Sequence, residues 1–212
     1  MKMRFLAAVA AAMVVVGASL AAQVGKSQGV IDANTATEAQ LAEMPHMTPA
    51  RAQALVAARP FASILDLNKF LLSQGLTQDQ ANAFYARAFV HINLNTASQQ
   101  EILLVPGAGK RMAHEFDEYR PWRSYAQFNK EIGKYVSADA VARLAQYTFI
   151  PMNANKASDA DLLTIPGANQ ALVDRIKAGR PYKTAADIEG ALAKGSTTPA
   201  EAKRVARFLT VE

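Results

Sequence analysis

The chain has 212 residues, of which half are hydrophobic, and its formal net charge is +5. It contains no cysteine, which excludes a disulfide framework, a thiolate zinc site and a cysteine nucleophile. The charge balance is mildly basic, with 23 lysines and arginines against 18 aspartates and glutamates, and no run of like charges stands out.

The first residues have the three-part pattern of a secretory signal peptide. Lys2 and Arg4 form a short cationic region, and residues 6–16 are apolar without interruption. Ser19 and Ala21 then supply the small residues expected at positions −3 and −1 of a cleavage site. The pattern predicts that the chain is exported across the cytoplasmic membrane.

We predict a signal peptide at 1–21 and a linker at 22–30. The alternative is an uncleaved membrane anchor, because residues 5–22 contain no charge and are just long enough to span a bilayer. In both cases the rest of the chain lies outside the cytoplasmic membrane, in a periplasmic setting. Loss of Lys2 and Arg4 with the leader lowers the net charge from +5 to +3.

One segment recurs three times after the leader. Its copies begin at an asparagine and end at a proline: Asn34 to Pro45, Asn95 to Pro106 and Asn155 to Pro166. An Arg-Pro-aromatic triplet follows 14 residues after each proline, at residues 59–61, 120–122 and 180–182. The asparagines lie 61 and then 60 residues apart, so one unit of about 60 residues is repeated. We predict three domains, at 31–91, 92–151 and 152–212.

Capping signals predict four helices in each repeat. The first helix has a hydroxyl N-cap with a polar residue three positions later, as in Thr37/Gln40, Ser98/Glu101 and Ser158/Asp161. The proline ends it, and a second helix is predicted at about 50–59, 110–120 and 170–180. The third and fourth helices follow the N-caps Ser63, Ser124, Thr184, Thr77, Ser137 and Thr198. Short links and the absence of β-branched alternation leave no room for a sheet, so the predicted fold class is all-α.

The Arg-Pro-aromatic triplets have a structural interpretation. Arg59, Arg120 and Arg180 fall in the last turn of the second helix, where a cation complements the helix dipole. The aromatic residue after each proline is interpreted as a core anchor. If the repeats are separate domains, limited proteolysis should cut first near 90–93 and 150–154.

Helix, Pro-Gly-x-Gly, helix is the pattern of the helix-hairpin-helix element, and residues 92–111 closely resemble the opening of the ComEA-type competence domain. The resemblance covers residues 31–212. It implies tandem paired helix-hairpin-helix domains, with a RuvA domain 2-like or SAM-like helical fold, behind a signal peptide. It also implies binding of double-stranded DNA outside the cytoplasmic membrane.

In that family the hairpin binds a phosphate, because glycines allow close approach and free N–H groups at the helix start point at the anion. Carried onto this chain, the resemblance implies phosphate binding by Gly107, Ala108, Gly109, Lys110, Arg111, Gly167 and Asn169. Only repeat 2 keeps the pattern intact. Repeat 3 lacks the second glycine, and repeat 1 has His46-Met-Thr-Pro49, with no glycine.

Two functions remain open. One is an exported, non-catalytic protein that binds double-stranded DNA weakly and non-specifically through backbone phosphates, as in DNA uptake. The other is a structural or adaptor subunit of an envelope or membrane protein complex, because the extrinsic U subunit of photosystem II has this hairpin fold. We expect no enzyme activity, since helix-hairpin-helix glycosylases need a catalytic lobe for which this chain has no room. No metal, cofactor or small-molecule substrate is predicted.

Overall fold

The computed structural model describes residues 24–194 and 198–211. The predicted leader at 1–21 and residues 195–197 lie outside this range. Within it, twelve helices and six two-residue strands occur in one order that is repeated three times. None of the described helices combines the length and the apolar character that a membrane span requires.

Each repeat consists of a strand, four helices and a second strand. Repeat 1 contains β1 (Ile31–Asp32), α1 (Glu38–Ala42), α2 (Pro49–Ala57), α3 (Ile64–Ser73), α4 (Gln78–Tyr85) and β2 (Ala88–Phe89). Repeat 2 contains β3 (Ile92–Asn93), α5 (Gln99–Leu103), α6 (Lys110–Glu118), α7 (Tyr125–Ile132), α8 (Ala138–Ala145) and β4 (Thr148–Phe149). Repeat 3 contains β5 (Met152–Asn153), α9 (Asp159–Leu162), α10 (Gln170–Ala178), α11 (Ala185–Ala193), α12 (Pro199–Ala206) and β6 (Leu209–Thr210).

Side-chain caps fix where the helices begin. Among the twelve helices of the described residues, eleven have an N-cap side chain that accepts a backbone N–H at the helix start. In α5, Ser98 Oγ accepts from Glu101 N at 3.2 Å, and the Glu101 carboxylate accepts from Ser98 N at 2.8 Å. The predicted capping boxes of α1, α5 and α9 are therefore confirmed. The exception is α6, whose N-cap is Gly109.

The two strands of each repeat pair in parallel, so the prediction that the short links leave no room for a sheet is wrong. Ile31 pairs with Ala88, Ile92 with Thr148, and Met152 with Leu209. Strands of two residues are too short to show an alternating pattern in the sequence. They join the segment before the first helix to the segment after the fourth, so each repeat closes on itself. The helices still make up the fold, and the all-α prediction is confirmed.

The two segments that define the repeat bind each other. Asn95 Nδ2 donates to Trp122 O at 3.0 Å, and Asn95 Oδ1 accepts from Trp122 N at 2.6 Å. The same exchange joins Asn34 to Phe61 and Asn155 to Tyr182. All three aromatic side chains are buried, as the core-anchor interpretation predicts.

The arginine of each triplet donates hydrogen bonds to backbone carbonyls, which the sequence analysis did not predict. Arg120 lies two residues beyond the end of α6, and the helix-dipole interpretation misses its main contacts. Its Nε donates to Leu94 O at 2.8 Å and its Nη2 to Ala97 O at 2.5 Å. Arg180 repeats both bonds with Ala154 and Ala157. A planar guanidinium with several donors can satisfy two carbonyls at once, so it ties the second helix to the segment before the first.

The connections between repeats are buried. Phe89 of repeat 1 packs against Tyr147 of repeat 2, with ring centroids 5.0 Å apart. Phe149, the strand equivalent of Phe89, packs against Phe208 of repeat 3 at 4.3 Å. The neighbouring residues Val90, His91, Ile92, Ile150 and Met152 are also buried. These connections are not the exposed linkers that first cleavage near 90–93 and 150–154 would require.

The described part of the predicted linker, residues 24–30, packs on repeat 2. Val24 forms an antiparallel bridge with Phe149, and Gly25 N donates to Thr148 O at 3.1 Å. A Cβ on Gly25 would lie 1.9 Å from Ala145 O, so only glycine allows this approach. The segment is therefore not a free linker, and it gives repeat 1 a second connection to repeat 2.

Candidate nucleic-acid interface

The first hairpin of every repeat turns through one residue in the left-handed region. The φ angles are +62° at His46, +86° at Gly107 and +78° at Gly167. Glycine adopts this conformation without a Cβ penalty, whereas His46 does so at a cost. The three hairpins therefore share a backbone shape, and what distinguishes them is the start of the helix that follows.

The hairpin of repeat 2 ends at a helix start that has no side-chain cap. Gly109 provides no oxygen for the first N–H groups of α6. In repeat 1, Thr48 Oγ1 accepts from Arg51 N at 3.2 Å, and in repeat 3 Asn169 Oδ1 accepts from Leu172 N at 3.0 Å. The start of α6 is thus the one place among the described helices where an external anion meets no competing cap.

The space above this turn is open. Gly107 and Gly109 are both exposed, and a Cβ added to either would meet nothing within 4 Å. Lys110 and Arg111 follow at the first two helical positions and are exposed, with 67% of the Arg111 side chain accessible. Ala108 is partly buried beneath the turn. Four of the five predicted residues at 107–111 are therefore exposed at this turn.

The side chains at the start of α6 are positively charged, and positive charge is unfavourable at the N-terminus of a helix. The macrodipole stabilises anions there, yet the first turn holds two cations and no acidic residue. Arg111 Nε lies 3.8 Å from Glu115 Oε1, which is only a loose ion pair. A bound phosphate would complement both the cations and the dipole.

The predicted residues of repeat 3 have a different setting. The Asn169 side chain already caps α10, as described above. Thr35 of repeat 1 lies against Gly167, since a Cβ placed on that glycine would be 2.9 Å from Thr35 Cγ2. Gly167 and Asn169 therefore remain exposed but lack both the open space and the free helix start of repeat 2.

In repeat 1, the arginine near the hairpin, Arg51, donates its hydrogen bonds to other groups of the protein. Arg51 Nη1 donates to His46 O at 2.8 Å, and its Nε donates to Gln74 O at 3.2 Å. Its guanidinium thus joins the two hairpins of repeat 1. Pro49 at the first helical position of α2 has no N–H to offer.

Sequence reasoning missed three residues near the repeat 2 hairpin, namely Tyr119, Lys134 and Tyr135. The Arg111 guanidinium carbon lies 4.6 Å from the centroid of the Tyr135 ring, and Lys134 Nζ lies 5.1 Å from that of Tyr119. The available signal was a departure from the repeat, because Ala58 and Gly179 occupy the position of Tyr119 in the other copies.

A buried charged pair occurs elsewhere, beside β1. Asp32 Oδ2 lies 2.9 Å from His91 Nδ1, and both side chains are 4% exposed. Burial raises the pKa of Asp32, but the hydrogen bond and charge of His91, with the charge of Arg204, outweigh burial and lower it overall. Asn93 and Asn153 take the place of Asp32 in the other repeats and accept the same backbone N–H two residues on. The pair therefore has a structural role.

Residues 26–80 match the family model of the helix-hairpin-helix motif. This segment covers most of repeat 1, from before β1 into the first residues of α4. No curated protein and no solved structure matches the chain. The fold and the matched motif define an all-α protein with a helix-hairpin-helix element, a motif generally associated with nucleic-acid binding. Within the described residues, no group of histidine and acidic side chains is arranged to hold a metal ion.

Proposed function

We propose that this protein binds the phosphate backbone of double-stranded DNA through the first hairpin of repeat 2. The observation that carries the proposal is the start of α6, which has an open glycine turn, no side-chain cap and two exposed cations. Backbone N–H groups at a helix start bind phosphate because they and the dipole both favour an anion. The matching hairpins of repeats 1 and 3 fill this position with their own side chains.

Binding through phosphates alone should be non-specific and weak. Phosphate contacts position a protein on the duplex but carry no sequence information. Two or three contacts give a slope of log K against log salt no steeper than about −3. We expect a Kd no tighter than about 10⁻⁶ M at physiological salt, which is the non-specific range.

Fluorescence anisotropy with a labelled duplex at several salt concentrations tests the proposal. Replacing Lys110 and Arg111 by Ala should remove most of the binding and leave the helical circular dichroism unchanged. The matched control is Lys69→Ala, which removes an exposed cation of repeat 1. Absence of duplex binding by the wild-type protein at low salt would refute the function, and equal loss in the control would refute the site.

We infer that the protein works outside the cytoplasmic membrane, in DNA uptake. Support comes from the three-part start of the sequence, which lies outside the described residues, and from the resemblance to the ComEA-type domain. N-terminal sequencing of protein from the envelope fraction should begin at Ala22. Recovery of the full-length chain from the cytosol would contradict both export and a role in uptake.

A second candidate is an adaptor subunit of an envelope or membrane protein complex. It is favoured by Leu103 and Leu163, which are 44% and 45% exposed. Both lie three residues before a hairpin proline, so two repeats present an apolar side chain at the same position. Stoichiometric co-purification with an envelope complex, lost on replacing both leucines by Ser, would support this function over DNA binding.

A further inference from the structure

A pair of tyrosines joins the C-terminal end of α6 to the second hairpin of repeat 2. Tyr119 follows the last residue of α6, and Tyr135 lies in the turn between α7 and α8. Their hydroxyl oxygens are 2.8 Å apart and their ring centroids are 6.5 Å apart. The hydrogen bond to Tyr119 and the nearby Glu115 carboxylate raise the pKa of Tyr135. The rings form one surface between the hairpins.

Each ring contacts a cation from the other of two elements, α6 with its end and the second hairpin. Arg111, at the end of the first hairpin, lies over Tyr135 of the second. Lys134, in the second hairpin, lies over Tyr119, which directly follows α6. Both distances are within the roughly 6 Å at which a cation is attracted to an aromatic face. The crossed arrangement places the two positive charges at one surface.

Two carboxylates partly neutralise the charge of Arg111 and Lys134, but both cations stay accessible to solvent. Glu131 pairs with Lys134, and Glu115 approaches Arg111. The Arg111 side chain is nevertheless 67% exposed and that of Lys134 is 50% exposed. Because the rings contact one face of each cation, other donors remain available to a phosphate.

In repeat 1, the arginine near the hairpin binds backbone carbonyls and not an aromatic ring. Arg51 donates to two backbone carbonyls, and the counterparts of Tyr119 and Tyr135 are Ala58 and Gly75, neither of which has a ring. A guanidinium bound to carbonyls has fewer donors left for an external anion. The tyrosine rings of repeat 2 hold a cation near the hairpins without consuming its N–H groups.

We propose that Tyr119 and Tyr135 position Arg111 and Lys134 as a pair, and that Lys134 is a further phosphate contact, so that both hairpins of repeat 2 bind one stretch of DNA backbone. This inference rests on the proposed function of the first hairpin. Tyr135 is a positioning residue, since it acts through Arg111.

Tyrosine variants test the positioning role. Tyr135→Phe keeps the ring and should bind duplex DNA within about twofold of wild type. Tyr135→Leu removes the ring and should weaken binding a further two- to fivefold, the effect of about 0.5–1 kcal/mol for an exposed cation–π contact. In the free protein, the Nε–Hε resonance of Arg111 should shift in the Leu variant and remain nearly unchanged in the Phe variant.

Lysine variants test the additional contact. Lys134→Ala should reduce the magnitude of the salt slope by about 0.9, as expected for the loss of one phosphate contact. Lys130→Ala is the matched control. Lys130 Nζ also lies near Glu131, 3.8 Å from its Oε1, and its side chain is 78% exposed. It is Lys134, however, that lies over the Tyr119 ring. The control should leave the slope unchanged.

The outcomes separate this inference from the proposed function. If wild-type protein does not bind duplex DNA, the proposed function fails. If it binds through Lys110 and Arg111, but Tyr135→Leu equals Tyr135→Phe in both affinity and resonance position, the positioning role is overturned. Equal slopes for Lys134→Ala and wild type, or equal slope losses in Lys134→Ala and Lys130→Ala, would overturn the specific contact at Lys134.

Discussion

The side-chain amide of Asn95 and the backbone of Trp122, 27 residues apart, exchange two hydrogen bonds of 3.0 and 2.6 Å. The exchange holds the start of repeat 2 against the turn after α6, and the repeats on either side contain the same pair. A buried backbone N–H and C=O are thus satisfied by one side chain, which explains why an asparagine opens every copy of the repeated segment.

Asn95→Ala should destabilise the protein by about 1–3 kcal/mol, because it leaves the polar backbone groups of Trp122 without partners. Urea denaturation followed by tryptophan fluorescence measures the loss directly, since Trp122 is the only tryptophan in the chain. Asn82→Ala, at an exposed position in α4, is the control and should change stability by less than about 0.5 kcal/mol. Equal effects of the two changes would contradict the structural role of the exchange.

Gly109→Asp should affect stability and DNA binding in opposite directions. Gly109 has an ordinary negative φ of −96° and open space around it, so a side chain fits. An aspartate would cap α6 and complement its dipole, raising stability by about 0.3–1 kcal/mol. The same carboxylate would occupy the anion position and repel phosphate, so duplex binding should fall. Thermal melts and anisotropy are the measurements, and a variant that binds DNA as well as wild type would argue against phosphate at this helix start.

Asp32→Asn isolates the charge of the buried pair, because asparagine occupies this position in repeats 2 and 3. Loss of one member of a buried pair should cost about 3 kcal/mol at neutral pH. The pKa of Asp32 is lower in the folded protein than its ordinary value of 3.8. Its contribution to stability is therefore complete well above pH 3.8 and is lost as the pH falls through the folded-state pKa.

The stability difference between wild type and Asp32→Asn should accordingly shrink as the pH falls below about 4. Urea midpoints measured at several pH values test this dependence. A difference that does not shrink below about pH 4 would show that the Asp32 carboxylate is not stabilised by the fold.

Limited proteolysis should release one resistant body and not three fragments of about 60 residues. Chymotrypsin prefers aromatic residues, and Phe89 and Phe149 at the junctions are fully buried. Arg207 supports both junctions, since its Nη2 donates to His91 O at 2.8 Å and its guanidinium lies 5.3 Å from the Phe149 ring. Arg207→Ala should therefore speed cleavage there, whereas Lys203→Ala, at an exposed position in α12 just before Arg207, should not. Rapid cutting of wild type at both junctions would show that the repeats are independent.

The helices could be predicted from the sequence because their signals are local. The second helices, predicted at about 50–59, 110–120 and 170–180, lie at 49–57, 110–118 and 170–178. A capping hydroxyl and the polar residue three positions later act within one turn, so Ser98 and Glu101 are recognisable before any tertiary contact forms. The glycines of the repeat 2 hairpin were recognisable for the same reason.

The sequence by itself determined the repeat, the helix starts and the hairpin of repeat 2 as the best candidate site. Only the tertiary structure showed that residues 24–30 pack on repeat 2, that Thr35 lies against Gly167, and that Arg111 rests on Tyr135. These contacts join residues from different repeats or hairpins, and no local pattern in the chain encodes which surfaces meet. They depend on how the helices pack, which is why neither the buried junctions nor the contacts of the two tyrosines could be read from the repeated segment.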